Sequence, residues 1–305
     1  MCFSEKYANI ISRHTLWPSK LLEDLSVSIL SAVFLGLVQG LAEFLPISSS
    51  GHLSVLQNLL HMNSLEEGHL FFDVLLHLGT LVSIFICYWK DIKAMVREVF
   101  IVLRGGRTFS GEKVSQPLPA ARLFLMLVLA TLPLVLIVPI NDMVEELYYQ
   151  TWFIGVAFLL TGCLLYVSDR MTPGHKTEKN MRIRDALIIG CCQCVATIPG
   201  LSRSGTTITA GIATGLDRGF AMRFSFLLSI PAVLGANVLS IVDAISEGFD
   251  TSLLPAYLAG MLAAIVSGIG AIMLMKLISR KNKFGFFTYY CWAAGVVTLV
   301  LSIGY

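Results

Sequence analysis

A carboxylate, an imidazole, a guanidinium and a run of hydroxyls interrupt long apolar stretches of this 305-residue chain. Gln39 and Glu43 are spaced i, i+4, so on a helix both project from one face, just ahead of Pro46. A carboxylate joined by an amide carbonyl suits a divalent cation, Mg²⁺ or Ca²⁺. Both ions take oxygen ligands, and Mg²⁺ commonly completes its shell with phosphate oxygens. Ser48, Ser49, Ser50, Gly51 and His52 follow. Their hydroxyls, with a backbone opened by glycine at the start of a helix, can cradle an anion such as phosphate. His52 adds a group that gives or takes a proton near neutral pH. Far along the chain, PGLSRSGTT holds Arg203 among Ser202, Ser204, Thr206 and Thr207, a permanent cation whose planar fork matches phosphate oxygens. An acid for a metal, an imidazole, hydroxyls and a guanidinium are the parts needed to cleave a phosphate group, and their apolar surroundings point to a phosphate carried on a lipid.

The two polar islands are copies of one pattern. Gly36, Gln39, Ser48, Ser50 and Gly51 recur as Gly190, Gln193, Ser202, Ser204 and Gly205, each 154 positions later. A charged side chain at the centre of a membrane helix costs roughly 2.5 to 3.5 kcal/mol on insertion scales, so apolar segments that keep Glu43 and Arg203 have a use for them.

The elements that must position these groups follow from composition. Hydrophobic residues make up 55% of the chain and charged residues 14%, with a mean hydropathy of +0.75, which excludes an ordinary soluble domain and gives an all-α polytopic membrane protein. A net charge of +2 gives no reason to expect nucleic acid as a partner. Spans of about 20 apolar residues are predicted at 70–89, 121–140, 151–168, 219–242, 253–278 and 284–304, six full transmembrane helices. The cysteines lie mostly inside apolar runs and act as small hydrophobes rather than as a disulfide framework. Cys191, Cys192 and Cys194 have no histidine or carboxylate beside them and read as helix packing. Residues 1–24 mix charges without a clean apolar core and read as a peripheral extension, not a cleaved signal.

Charge between spans sets the topology. Lys90, Lys93, Arg97, Arg104, Arg107, Lys113 and Arg122 make one basic stretch, Arg170 to Arg184 a second, and Arg280, Lys281 and Lys283 a third, all cytoplasmic by the positive-inside rule. Glu66 and Glu67, then Asp142, Glu145 and Glu146, then Asp243, Glu247 and Asp250 mark the outer loops. The span at 219–242 must start inside, yet the basic stretch before residue 185 is inside too, so residues 185–215 enter and leave on the same side as a re-entrant hairpin. The same reasoning sends residues 25–60 in from the outside and back. The domains expected are an extension (1–24), a first repeat (25–168) and a second repeat (169–305) in one membrane body. This is an inverted-topology repeat with two re-entrant helical hairpins, whose tips, broken at Pro46, Gly51, Pro199, Gly200 and Gly205, should meet near the midplane. The plainer alternative makes each copy one kinked full span.

QGLAEFLPISSSGH and PGLSRSGTT resemble the two signature motifs of the undecaprenyl-diphosphate phosphatase, or bacitracin-resistance, family, and the likeness continues through FFDVLLHLGTLVSIFICYW and RFSFLLSIPAVLGAN across about residues 25–305. The resemblance implies removal of the terminal phosphate of undecaprenyl diphosphate, recycling the carrier for peptidoglycan synthesis. It also implies a divalent cation and a site open to the periplasmic face of the bacterial cytoplasmic (inner) membrane. It puts Gln39 and Glu43 on the family's acidic motif, Ser49 and His52 on its serine turn, and Ser202, Arg203 and Thr207 on its arginine motif. Gln39 stands where the motif takes either Glu or Gln, so a site with two carboxylates is in doubt and Glu43 would carry the metal alone. Partners expected are a prenyl diphosphate lipid and membrane lipids, with a homo-oligomer compatible with the sequence. Either Ser49 or a water is the nucleophile, with His52 handling the proton.

Two rival readings share features. A lipid-carrier transporter or flippase would also use inverted repeats with broken helices, but it has no need of a histidine beside a serine turn and an arginine. A type 2 phosphatidic acid phosphatase also uses SGH and SR, but its second histidine and aspartate do not follow Arg203 at helical spacing. Asp73 and His77, also i, i+4, read as a helix-packing hydrogen bond, with support of the site as the alternative.

Overall fold

In hydrocarbon a helix satisfies all of its own backbone groups, and the apolar stretches of this chain take that form. The computed structural model describes residues 29–59, 69–108, 113, 116–247, 253–280 and 284–303. Helices α1 (Ile29–Phe44) and α2 (Ser49–Leu59) form a broken pair, and α3 (His69–Cys87) runs into α4 (Trp89–Leu103). Helix α5 (Pro119–Thr131) continues through 3-10 turns at Leu132–Leu136 and Val138–Ile140 to α6 (Asn141–Glu146), a further turn at Leu147–Tyr149, and α7 (Thr151–Arg170). A second broken pair, α8 (Ile183–Val195) and α9 (Arg203–Ala213), precedes α10 (Arg218–Glu247), α11 (Leu254–Arg280) and α12 (Gly285–Ile303).

Among the described residues, Pro119–Ile140, Thr151–Arg170, Arg218–Asn237, Leu254–Ser279 and Gly285–Ile303 are long and apolar enough to cross a membrane. Phe71–Cys87 and Trp89–Leu103, bent by 79°, make a sixth if taken as one span. The chain is therefore a multi-pass all-α membrane protein. One difference from expectation lies just past α3, where the basic connection is largely helical. Its apolar residues recur at helical spacing, so Met95 and Ile101 are buried while Lys90, Lys93 and Arg97 stay exposed. The expected extension 1–24, the acidic residues Glu66, Glu67 and Asp250, and Lys281 and Lys283 lie outside the described residues.

The first two basic stretches meet in one charged layer. Arg223 pairs with Asp91 (2.5 Å) and Glu178 (3.7 Å), and Asp169 accepts from Arg218 (3.5 Å) and from the Phe284 N–H (2.9 Å). Arg122 donates to the Met181 carbonyl (2.8 Å) and Lys276 to the Cys87 carbonyl (3.2 Å). The second broken pair leaves this layer and returns to it. Lys176 Nζ holds Asp185 near the start of α8 (2.9 Å) and the Thr214 carbonyl just past α9 (2.6 Å), and Gly174 and Lys176 exchange backbone hydrogen bonds with Gly215, Leu216 and Asp217.

The repeated glycines let each broken pair press against a long span. Helix α1 lies along α11, where a Cβ at Gly36 would fall on the Gly260 carbonyl. Its counterpart Gly190 on α8 meets the Ala130 carbonyl of α5 in the same way. Such close approach of backbones is what small residues provide in membranes. Gly36→Ala and Gly190→Ala are each expected to destabilise the fold by about 1–3 kcal/mol, the usual cost of overpacking. Gly270→Ala, where a Cβ meets nothing within 4 Å, should be neutral; midpoints of thermal unfolding in detergent compare the three.

Candidate active site

Helix α1 turns Gln39 (0% exposed) and Glu43 (8%) inward while Phe34, Leu37 and Leu41 on its other face are exposed. It ends where Pro46 enters the chain, and the turn at 45–47 leads to Ser48 with φ of +71°. Among the described residues Ser48 alone, glycines aside, has positive φ. That left-handed conformation costs a non-glycine residue about 1–3 kcal/mol and persists where surrounding contacts enforce it, often at functional sites. Here the Ser48 oxygen accepts from the Gly51 N–H (3.3 Å) as α2 begins. The second copy repeats the device, with Ser202 Oγ accepting from the Gly205 N–H (3.1 Å). In each copy the serine two residues on stands beside the cap, Ser50 Oγ 3.4 Å from Ser48 Oγ and Ser204 Oγ 3.3 Å from Ser202 Oγ. The shared S-x-S-G pattern is thus a helix N-cap used twice.

The two tips touch. Arg203 Nη2 forms an ion pair with Glu43 Oε1, while Glu43 Oε2 accepts from Ser49 Oγ (2.6 Å) and Gln39 Nε2 (3.1 Å). One buried carboxylate therefore collects donors from both broken pairs. Ser204 Oγ donates to the Leu45 carbonyl (3.2 Å), and a Cβ at Gly51 would lie 2.9 Å from Gly200 Cα, so the turns are in direct contact. Gly200 has φ of +87°, a conformation glycine adopts freely. Thr207 Oγ1 donates to the Arg203 carbonyl (2.8 Å) and lies 2.6 Å from Ser225 Oγ; Thr206 is buried one residue earlier.

His52 lies one turn into α2. Its Nδ1 is 2.7 Å from the Ser48 carbonyl and its Nε2 is 2.7 Å from Tyr290 Oη, with Phe158 edge-on at 4.9 Å between ring centres. A cavity of about 320 Å³ opens beside it, lined by apolar side chains that include Leu41, Ile47, Leu56, Phe158 and Leu301.

Sequence reasoning missed two residues here. Tyr290 reaches His52 from 238 positions away. Thr161 of α7 braces the second tip by donating to the Gly200 carbonyl (3.1 Å) and accepting from the Ser202 N–H (3.1 Å). Both sit in ordinary apolar spans and carry no local signal. The Asp73 and His77 pair closes on itself differently from expectation: His77 Nδ1 lies 2.8 Å from the Asp73 backbone carbonyl, and the Asp73 carboxylate accepts from Gln57 (3.3 Å).

The cation reading can be tested on the donors present. Gln39 Oε1 is buried and has no hydrogen-bond partner, an orphaned acceptor beside a carboxylate, which fits a hard cation. Among the described residues no three His, Cys, Asp or Glu side chains are grouped to hold a metal by themselves. A cation at Glu43 would therefore take its other ligands from amide, water and phosphate oxygens.

The family model described as Bacitracin resistance protein BacA matches residues 32–297. The chain is similar to an undecaprenyl-diphosphatase of Methanosphaera stadtmanae, 40% identical over 91% of this chain and 99% of the relative. It is also similar to those of Alkaliphilus metalliredigens (38%, over 89% and 98%) and Methanobrevibacter smithii (39%, over 91% and 99%).

Proposed function

The chain belongs to the BacA family of bacitracin resistance proteins, and from that premise we propose that it hydrolyses undecaprenyl diphosphate to undecaprenyl phosphate and inorganic phosphate, recycling the lipid carrier for cell-wall synthesis and conferring bacitracin resistance. One observation carries the assignment of the site: Arg203 of the second tip and Ser49 of the first meet on the same Glu43 carboxylate.

The diphosphate head is drawn to the N-termini of α2 and α9, whose unpaired N–H groups and dipoles favour anions. A guanidinium has five donors, so Arg203, paired to Glu43 through Nη2, keeps a fork for phosphate oxygens. Hydroxyl protons rotate, so Ser48, Ser50, Ser202 and Thr206 around the two turns supply further donors, and Ser204 and Thr207 join them by giving up their bonds to the Leu45 and Arg203 carbonyls. Gln39 and Glu43 would hold the divalent cation, Mg²⁺ or Ca²⁺, which when bound neutralises charge building on the phosphate oxygens.

The 2.6 Å contact to Glu43 favours Ser49 as nucleophile, since a hydroxyl in reach of a carboxylate has a proton acceptor in place. Ser49 Oγ bonds to the terminal phosphorus as its proton passes to Glu43, and undecaprenyl phosphate departs with the bridging oxygen. Water then attacks the phosphoserine with its proton taken up by His52, while Ser49 recovers its proton from Glu43 and inorganic phosphate leaves. Purified protein in detergent, given substrate labelled in its terminal phosphate, should carry label on Ser49. Ser49→Ala should lose activity by about 10²-fold or more, a loss of the size expected on removing a nucleophile. Full turnover by Ser49→Ala would transfer the attack to water. A protein that moves lipid but frees no phosphate in detergent would be the transporter instead.

Orientation follows from the charged layer, which faces the cytoplasm by the positive-inside rule. The second pair's return to that layer supports entry from the cytoplasmic side. For the first pair, Ala32 and Gly36 pack at Gly260, on the part of α11 remote from Lys276, and α2 packs against the Leu147–Tyr149 turn. Both contacts support entry from the outer side, and so an inverted repeat. The cavity beside His52 reaches Leu56 and Leu301, away from the charged layer, which supports a site open to the periplasmic face of the bacterial cytoplasmic membrane.

A further inference from the structure

Both nitrogens of the His52 imidazole are occupied by protein groups. Nδ1 faces the Ser48 carbonyl oxygen at 2.7 Å. A carbonyl only accepts, so Nδ1 carries the proton and donates. In a neutral imidazole the other nitrogen is then an acceptor, and the group 2.7 Å from Nε2 is the Tyr290 hydroxyl, which donates to it. The tautomer is assigned from these partners. The two rings lie nearly parallel, at 12°, and Tyr290 borders the cavity while its neighbour Tyr289 and Phe286, one turn back, are more exposed. The one basic atom of His52 is therefore covered by the Tyr290 O–H, so a proton reaching Nε2 from the chamber either passes through that hydroxyl or displaces it.

We propose that Tyr290 is the proton conduit of His52. The attacking water gives a proton to Tyr290 Oη as Tyr290 gives its own to Nε2; the water O–H bond breaks, the hydroxide oxygen bonds to phosphorus as the phosphorus–Ser49 Oγ bond breaks and Ser49 takes its proton back from Glu43, and His52 is left doubly protonated, with Nε2–H donating to Tyr290 Oη until that proton is released to solvent. A hydroxyl fits both states because it donates to neutral imidazole and accepts from imidazolium. The inference rests on the reading above in which His52 takes the proton, and it adds a residue that no local motif marks.

The test is a double-mutant cycle on phosphate release from undecaprenyl diphosphate by the full chain in detergent. Tyr290→Phe removes one oxygen from a residue that is 39% exposed, so it should fold, with an unfolding midpoint close to that of the parent. Its kcat should fall by about 10²-fold or more with KM within about twofold, inside the range general acid–base groups contribute, and the His52→Ala, Tyr290→Phe double variant should be no slower than His52→Ala. Wild-type kcat in Tyr290→Phe, or losses that multiply in the double variant, would overturn the conduit while leaving His52 in place. Full activity in His52→Ala would overturn both the conduit and the proton role of His52. Incorporating 3-fluorotyrosine at 290 keeps the ring in place and makes the phenol more acidic. A changed kcat supports the conduit and an unchanged one counts against it.

Discussion

Arg203→Ala is expected to lose phosphate release by about a thousandfold, the upper range for removing one preorganised donor to a developing oxyanion. The cause is twofold. The guanidinium is the permanent cation at the junction of the tips, and in the resting protein it also neutralises Glu43, whose side chain is buried. Removing it leaves that carboxylate with Ser49 and Gln39 as donors, so the variant should also lose about 1.5–3 kcal/mol of stability, the worth of a hydrogen bond to a charged group. Arg203→Lys should fall between the two, because a lysine keeps the charge and loses the fork. Phosphate release and thermal unfolding, read on the same detergent samples, separate the catalytic loss from the structural one. Activity of Arg203→Ala within tenfold of the parent would remove the guanidinium from the site.

Glu43→Gln is expected to cost about 10²- to 10⁴-fold in kcat, the span for a group handling a proton in the transition state. It keeps the shape of the side chain, and its one carbonyl oxygen can still accept from Ser49 and Gln39 while its NH2 turns a donor toward Arg203, so the loss reports the charge together with the contact to Arg203. The same substitution should weaken cation binding, since Mg²⁺ and Ca²⁺ prefer carboxylate oxygens and the amide of Gln39 offers a neighbouring buried oxygen without a hydrogen-bond partner. Calorimetric titration with Mg²⁺ and with Ca²⁺ measures that directly, and EDTA should abolish release by the parent. A Glu43→Gln protein that folds, binds cation as before and turns over normally would refute both roles.

Much of the site was legible because polar residues are conspicuous in an apolar chain. The repeat 154 positions apart marked both tips, and the prolines and glycines marked the breaks, since proline withholds an N–H and glycine tolerates positive φ. The spans were legible from length and hydropathy. The repeat also led to the expectation that the two tips meet, which brings Glu43 and Arg203 together across 160 positions, but not to their direct ion pair. What the sequence hid outright was the contact of His52 with Tyr290 across 238 positions, which no periodicity encodes. Ser48 was hidden differently: a serine gives no local sign of the left-handed conformation that glycine or asparagine would advertise. The helix at Trp89–Leu103 was masked by its charges, which read as a loop although the apolar residues between them keep helical spacing.

That two turns from opposite halves of the chain build one reaction centre is tested most directly by combining Glu43→Gln with Arg203→Ala and measuring kcat/KM for phosphate release from undecaprenyl diphosphate. Groups acting as a unit are strongly non-additive, so the double variant should be no slower than the slower single variant. Losses that multiply would mean that the carboxylate and the guanidinium act independently, and the shared site would be contradicted.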